Sequence, residues 1–544
     1  MKVRNFLIYG AIVLLALLIR VHVASLAYPP QMDSVHYVQY GVRWAQGVPG
    51  QLSTIWQEAP ILVSGLAYRW GVDPVRALQG STVVYGVVIV LMTMLLAARL
   101  FNRPAIGWLA GLWAAASPGL VNYSVNCSAE TGFGMLMLSA YALMAPSLRG
   151  ETIRPGPLLL AYGLLGLGIY YKPLDTYVAV LVLTCWLVLV HARSWRSLPL
   201  KFIPAFIVLV MAVAPHFHLQ AVGGDGDLGE IPLVNRGGNI TLGEKAYQSK
   251  YVDAPEGYTV EERKELEEIG LVGWLWKHRA DVARRYVSNW LIALRHFADF
   301  MLPNAFRLGN ALFIALLLFC LARGMLAGTW RQFGFLALAA FFFTAGVSVS
   351  YIYNRWLSIY VPLLIVVIVA HIVLTASLWE ARWKKLLWTL LLFGLMGNAY
   401  SVVVQHHRTE AWMWENQRTM AVWLRDHSQV HEKVMSGRPT FALEMDLDRP
   451  DRWVRMPHAD MDRMEIFAAK KGATYIALTS TYYPHWPVNQ LLTGASPPTN
   501  WVLHADRKFE RIHPVWGEQK EHYQIYRRVN VPAAPSEPGP APAP

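Results

Sequence analysis

Charge is scarce in this 544-residue chain: Asp, Glu, Lys and Arg together make up 15% of it, where soluble domains run near ~25%. With 54% hydrophobic residues, no single soluble core could hide that much apolar surface. A water-soluble enzyme, a fibrous protein and a disordered chain are excluded. Cysteine is sparser still. Cys127, Cys185 and Cys320 lack metal-ligand spacing, and two of them sit in apolar runs, so neither a disulfide framework nor a zinc site is implied. Internal repeats are lacking as well, which weighs against a transporter built from duplicated halves. What the chain does have is 22 Trp, 25 Tyr, a net charge of +12 and a mean hydropathy of +0.30. In a membrane protein the surplus cations belong first to cytoplasmic loops, so no nucleic-acid partner is expected.

A helix crosses ~30 Å of hydrocarbon in roughly 20 apolar residues. Eleven candidate runs lie near 6–27, 79–100, 104–121, 129–146, 156–171, 173–192, 201–217, 309–327, 332–352, 356–378 and 385–405. Ser25-Leu26-Ala27 resembles a signal-peptidase site, but the apolar region before it is long for a signal peptide and reads as a retained span. Placing the N-terminus in the cytoplasm assigns alternate connections Lys2 and Arg4; Arg99 and Arg103; Arg149 and Arg154; Arg193, Arg196 and Lys201; Arg323 and Arg331; and Arg382, Lys384 and Lys385. The opposite short connections carry only Lys172 and Arg355, a bias in the sense of the positive-inside rule.

The expected architecture is a polytopic α-helical membrane domain over 1–405, with outer loops at 28–78 and 218–308. An extracytoplasmic α/β domain follows over 406–530, then a disordered Pro/Ala-rich tail at 531–544. In the first loop, Tyr37–Trp44 is amphipathic and suits a helix lying in the interface. In the C-terminal domain, 409–427 and 460–471 read as helices, and Lys433–Ser436, Thr474–Thr479 and Tyr523–Tyr526 as strands.

Ionisable residues at a membrane are costly and call for a reason. Asp33, Glu130, Lys172 and Arg355 all fall at span ends on the outer side of this topology. Each has an ordinary reading: Asp33 as a solvated acid or N-cap, Glu130 favoured by a helix dipole, Lys172 snorkelling, Arg355 on lipid headgroups. Together, two acids and two cations on one side suit an anionic substrate and a reacting hydroxyl. Asp175, three residues beyond Lys172, reads as an ion-pair partner with a structural role. His216-Phe217-His218 and His406-His407 read more readily as interfacial or solvated histidines than as metal ligands. Trp44 and Trp56 suit stacking on a sugar or lining a lipid groove.

Several segments resemble the GT-C membrane glycosyltransferases of the protein-mannosyltransferase and aminoarabinose-transferase (ArnT-like) type. Pro30-Gln31-Met32-Asp33-Ser34-Val35-His36-Tyr37 with Trp44-Ala45-Gln46-Gly47 is similar to that superfamily's first outer-loop motif. Ala59-Pro60-Ile61-Leu62 and Trp70-Gly71-Val72-Asp73-Pro74-Val75-Arg76 look like its approach to span 2. Leu100-Phe101-Asn102-Arg103-Pro104, Ala114-Ala115-Ala116-Ser117-Pro118 and Glu130 resemble its second acidic motif. Ile169-Tyr170-Tyr171-Lys172-Pro173 resembles its Thr-Lys element, and Asn354-Arg355-Trp356 with Pro362 its Arg-Tyr…Pro element.

The resemblance implies an enzyme that moves a sugar from a polyprenyl-phosphate donor to a hydroxyl of a lipid, protein or glycan acceptor, with inversion, at the outer face of a bacterial or archaeal plasma membrane. It casts Asp33 as the catalytic base, Glu130 as a second catalytic acid, and Lys172 and Arg355 as the cations facing the donor phosphate. His36 and Tyr37 become candidate substrate contacts. Where the family pairs two acids, Asp33 is followed by Ser34, so a divalent metal cofactor stays open, as does Glu130's choice between holding a cation and orienting the acceptor. The chemistry agrees: polyprenyl phosphate leaves as a stable anion, so one base suffices, unlike a hydrolase that pairs two carboxylates. The rivals are a transporter or flippase of lipid-linked sugar, which calls for charges near the bilayer midplane, and a ligase or polymerase of lipid-linked glycans, which would place its key residues in a long outer loop.

Overall fold

The computed structural model describes residues 3–26, 32–48, 51–52, 57–193, 198–222, 318–324, 328–348, 359–376, 411–436, 452–455, 471–480, 491–492, 500–513 and 517–529, with isolated positions between 273 and 288 and between 401 and 497. Arg355, Trp56, the Pro/Ala-rich tail and most of the runs 309–327 and 385–405 lie outside these residues. The chain divides into two compact units, Met1–Tyr251 with Lys264–Glu410 and Val252–Arg263 with Ala411–Pro544.

The first unit is helical: α1 (Val3–Leu26), α2 (Met32–Ala45), α3 (Glu58–Arg69), α4 (Pro74–Phe101), α5 (Pro104–Ala116), α6 (Pro118–Val125), α7 (Ala129–Leu148), α8 (Pro155–Leu167), a single 3-10 turn (Gly168–Tyr170), α9 (Pro173–Val190), α10 (Leu198–Val222), α11 (Trp330–Ser348) and α12 (Val361–Ala376). Among the described residues five helices are long and apolar enough to cross a membrane, six if α5 and α6 count as one bent span. The protein is an integral membrane protein. Phe6, Leu14 and Leu18 on α1 and Leu200, Ile203 and Val210 on α10 are exposed, as lipid-facing side chains are.

Local sequence sets the starts and stops. Proline stands at the first helical position of α4, α5, α6, α8 and α9, where its missing N–H breaks no bond and its fixed φ suits the helix. Asp73 caps α4 by accepting from the Val75 and Arg76 amides at 2.8 and 3.2 Å. Helix α4 lies at the centre, packed on α1, α3, α5 and α7. Helix α12 is buried on every face from Val361 to Val369, the pattern of an interior helix. The run 104–121, expected as one span, is broken: Pro118 holds Ser117 extended (ψ 122), and α5 and α6 meet at a 58° bend.

Arg20 answers that break. It is fully buried in α1 and donates from Nε to Ser124 Oγ at 3.2 Å. Its Nη1 donates to the Ala16 and Ala115 carbonyls, each at 3.2 Å. Ala115 lies in the last turn of α5, whose carbonyls have no helical partner and whose dipole end favours a cation. A Cβ on Gly86 of α4 would stand 2.8 Å from Arg20 Nε, so only glycine leaves room for the guanidinium.

The first-loop helices are equally constrained. A Cβ at Gly65 of α3 would meet the Gly41 carbonyl of α2 at 2.6 Å; the two backbones touch where neither has a side chain, as small residues permit. The second unit holds a five-stranded sheet of order β2-β1-β3-β5-β4: β1 (Lys433–Ser436), β2 (Trp453–Arg455), β3 (Ala473–Thr479), β4 (Trp501–His513) and β5 (Gly517–Arg528). Strand β1 runs parallel to β2 and β3, and β5 runs antiparallel to β3 and β4. Met435, Ile476, Leu478, Trp501 and Tyr526 form its core. Residues 411–427 are helical, and Asn416 donates to Glu521 of β5 at 3.0 Å. The three expected strands fall inside β1, β3 and β5.

Replacing Arg20 by alanine should cost about 2–4 kcal/mol, from lost hydrogen bonds and a new cavity. Thermal unfolding in detergent measures this, and an unchanged midpoint would show that the cap contributes nothing.

Candidate active site

Helix α4 runs from Pro74 to Phe101 and α7 returns from Ala129 to Leu148. The arginines Arg99, Arg103 and Arg149 therefore gather at one end of the bundle, and Glu130 and Lys172 at the other. Glu130 follows Ser128, the N-cap of α7, and is 3% exposed. The approach to α7 is a tight turn, with Cys127 in the left-handed region at φ 55. Thr131 Oγ1 donates to the Tyr123 carbonyl at 2.9 Å, tying α7 to α6. The carboxylate in the first turn gains from the helix dipole, and Ser128 Oγ donates to its Oε2 at 2.5 Å.

Lys172 reaches the same carboxylate: Nζ lies 2.7 Å from Glu130 Oε1, in a pair whose side chains are 14% and 3% exposed. Lys172 is the N-cap of α9, fixed between the 3-10 turn and Pro173. Its amide donates to the Gly168 carbonyl at 2.8 Å and its own carbonyl accepts from Thr176 at 3.0 Å. The two tyrosines before it anchor this turn on opposite sides. Tyr171 donates to the Tyr85 hydroxyl of α4 at 3.1 Å, passing over Gly132 of α7, where a Cβ would come within 2.2 Å of its ring. Tyr170 donates to the Ala212 carbonyl of α10 at 3.1 Å and stands edge-on to His216 with ring centroids 6.0 Å apart.

His216 belongs to a second buried pair that the sequence reading did not find. Its Nδ1–H donates to Glu58 Oε1 at 2.6 Å, with the two side chains 4% and 2% exposed. This bond joins α3, from the first loop, to α10. Glu58 carried a readable signal: it is an acid at the first position of an apolar helix, just before the Ala59-Pro60 segment. What no pattern showed was its partner, 158 residues away. Asp175 accepts from the Tyr360 hydroxyl at 2.5 Å, and Tyr360 stacks on Phe343 at 4.0 Å. Asp175 thus fastens α9 to the start of α12.

Asp33 sits in the first turn of α2, half-buried. His36 and Tyr37 follow it by three and four residues and so share its helix face. Both are buried, and the Tyr37 hydroxyl donates to Gln57 at 2.5 Å, binding α2 to the residue that opens α3. The structure therefore joins Glu130 to Lys172 and groups Asp33 with His36 and Tyr37, while Arg355 lies outside the described residues. Glu58 and His216 are metal-ligating types. Among the described residues, however, no cluster of three or more His, Cys, Asp or Glu could hold a metal ion, and Glu130 is engaged by Lys172 and Ser128.

Residues 73–218, which run from the cap of α4 through the second histidine of α10, match the family model described as dolichyl-phosphate-mannose-protein mannosyltransferase. Several solved structures share the fold, two of them as follows. ArnT from Cupriavidus metallidurans bound to undecaprenyl phosphate is 13% identical with a TM-score of 0.58, over 98% of this chain and 100% of that one. The archaeal oligosaccharyltransferase AglB from Archaeoglobus fulgidus, in complex with an inhibitory peptide and a dolichol-phosphate, is 12% identical with a TM-score of 0.53, over 86% and 69%. No curated protein sequence matches the chain. The fold is shared with these membrane-embedded glycosyltransferases of the GT-C class, and residues 73–218 are similar to the mannosyltransferase family. Within that class the likeness is to the protein-mannosyltransferase and ArnT type.

Removing one partner of a buried ion pair strands the other, at a cost of about 3–5 kcal/mol. Lys172→Met should lower the unfolding midpoint accordingly, and Lys172→Met with Glu130→Gln should recover most of the loss. Equal destabilisation in single and double variants would show that the two groups are not coupled.

Proposed function

We propose that the protein transfers a sugar from a polyprenyl-phosphate donor to a hydroxyl of an acceptor at the outer face of the membrane, with inversion at the anomeric carbon. The carrying observation is the buried Glu130–Lys172 pair, fixed at the end of the bundle opposite the arginine-rich end. An ammonium carries three donors. One can stay on Glu130 while the others meet an incoming phosphate, so Glu130 acts by aiming Lys172. ArnT bound to undecaprenyl phosphate and AglB in complex with a dolichol-phosphate share this fold, which supports a donor of that chemistry.

In this reading the acceptor oxygen attacks the anomeric carbon from the face opposite the phosphate. Asp33 takes the hydroxyl proton as general base. The bond from the anomeric carbon to phosphate oxygen breaks with its electron pair, and the phosphate goes from a singly charged diester to a more highly charged monoester. No acid need protonate that leaving group. The charge that appears on it is what Lys172 stabilises in a site of low dielectric, with Arg355 as the second cation, whose fork suits bidentate phosphate contact. The polyprenyl chain leaves toward lipid. The positive-inside bias supports an outward-facing site, and a bacterial or archaeal plasma membrane fits the short loops between the early spans. The acceptor class, whether lipid, protein or glycan, is decided by surfaces other than these residues.

Asp33→Asn keeps the shape of the site and removes the base. With defined polyprenyl-phosphate sugars as donors, it should lower turnover by about 10²–10⁴-fold while leaving the unfolding midpoint unchanged. Full activity of the variant would remove Asp33 as base. Failure of the folded wild type to transfer from any such donor would overturn the enzymatic reading in favour of transport.

A further inference from the structure

At the arginine-rich end of the bundle a cavity of about 280 Å³ opens between α1, α4, α5 and α7, lined among others by Tyr9, Arg99, Asn102, Pro104, Pro146 and Arg149. Nothing in the proposed reaction uses it. The two guanidinium groups are held in place by backbone. Arg99 Nη1 donates to the Ala142 carbonyl of α7 at 3.2 Å, and Arg149 Nη1 donates to the carbonyl of Arg99 itself at 2.8 Å. Each arginine thus fastens the end of its own helix to the other. Among the described residues Arg99 meets no carboxylate, and its side-chain partner is that neutral carbonyl. Arg149 pairs with Glu151, whose side chain is 50% exposed. The cavity wall therefore carries two cations against one solvent-facing acid.

The remaining lining fits the same chemistry. Tyr9 is buried, and its hydroxyl lies over Gly107, where a Cβ would approach it to 2.5 Å; a tyrosine hydroxyl is held at the cavity by a glycine that makes room for it. Asn102 stands in the left-handed conformation at φ 53 as the C-cap of α4. It is followed directly by Arg103 and by Pro104, which starts α5. The prolines and Leu95 make the other wall apolar. Like charges fixed side by side call for an anion between them, and Arg recognises phosphate by paired N–H donors. An apolar wall at the end of membrane spans favours an anion that carries hydrocarbon.

We propose that this cavity binds the phosphate headgroup of an anionic membrane phospholipid, at the end of the bundle opposite Glu130 and Lys172. The shared chemistry with free phosphate is the anion. The apolar wall and the location make the lipid the occupant.

The test uses the full-length protein, stripped of lipid in detergent, with bound molecules counted by native mass spectrometry. The probes are a dioleoyl phosphatidylglycerol, a dioleoyl phosphatidylcholine and inorganic phosphate. Wild type should retain one phosphatidylglycerol at least fivefold more strongly than phosphatidylcholine, and that lipid should raise its unfolding midpoint. Arg99→Gln with Arg149→Gln should cut retention at least tenfold and abolish the rise. Arg99→Gln alone, which leaves the helix tie through the Arg99 carbonyl intact, should cut it several-fold and serves if the double variant does not fold. Arg103→Gln, beside the cavity but not lining it, should stay within twofold of wild type. The proposal falls if Arg103→Gln loses as much as Arg99→Gln, which would mean diffuse surface charge. It falls equally if phosphatidylcholine is retained as well as phosphatidylglycerol, or if millimolar phosphate displaces the lipid, which would mean a small-anion site.

Discussion

Taking a charge out of water costs several kcal/mol even after the surroundings relax, and the buried charges at the two ion pairs of the membrane unit are each answered by another group. Glu130 and Lys172 answer each other at 2.7 Å, and much of the architecture around them serves that meeting. Ser128 and Pro173 start the two helices on which they stand. The Tyr170-Tyr171 turn is fixed to α10 on one side and to α4 on the other, which leaves Lys172 no freedom to wander from α7. Gly132 is part of the same constraint, since any side chain there would push Tyr171 aside.

A second pair, Glu58–His216, secures the first-loop helices to the bundle. With Tyr37 bonded to Gln57 and the Gly41–Gly65 backbone contact, it makes α2 and α3 a packed platform rather than a loop. Asp33 rides on that platform. A helix clamped at several points fixes the position of the acid in its first turn. That is the kind of preorganisation catalytic geometry calls for.

The sequence announced its helices well because lipid imposes so coarse a rule: about 20 apolar residues with almost no charge. The ends were legible too, since Pro74, Pro104, Pro155 and Pro173 mark helix starts by a local mechanism. The strands around Val434, Ile476 and Ile525 showed their β-branched character. Less was visible wherever a partner lay far along the chain. The 104–121 run looks like one span because hydropathy counts Ser117-Pro118 as two ordinary residues, while the bend comes from the Pro118 ring forcing Ser117 extended. Strand β4 hid behind its charged residues, which an exposed strand paired on one side tolerates. At the site, Asp33, Glu130 and Lys172 stood out as charges at span ends. Glu58 was visible only as an acid opening an apolar helix; its pairing was hidden because the partner is a histidine in another helix, 158 residues away. The Lys172–Glu130 pairing was likewise not legible, for Asp175 stands nearer in sequence.

Arg20 lies within the first helix, yet its hydrogen-bond partners Ala115 and Ser124 come about a hundred residues later. A helix inserted alone with an arginine near one end of its apolar stretch bears a penalty of up to about 3 kcal/mol, softened while the side chain can reach the interface. In the folded bundle Ser124 and Ala115 of the broken helix α5–α6 answer that charge, in the space that Gly86 of α4 leaves open. The first span alone lacks these acceptors, so the native surroundings of Arg20 exist only with α4, α5 and α6 in place.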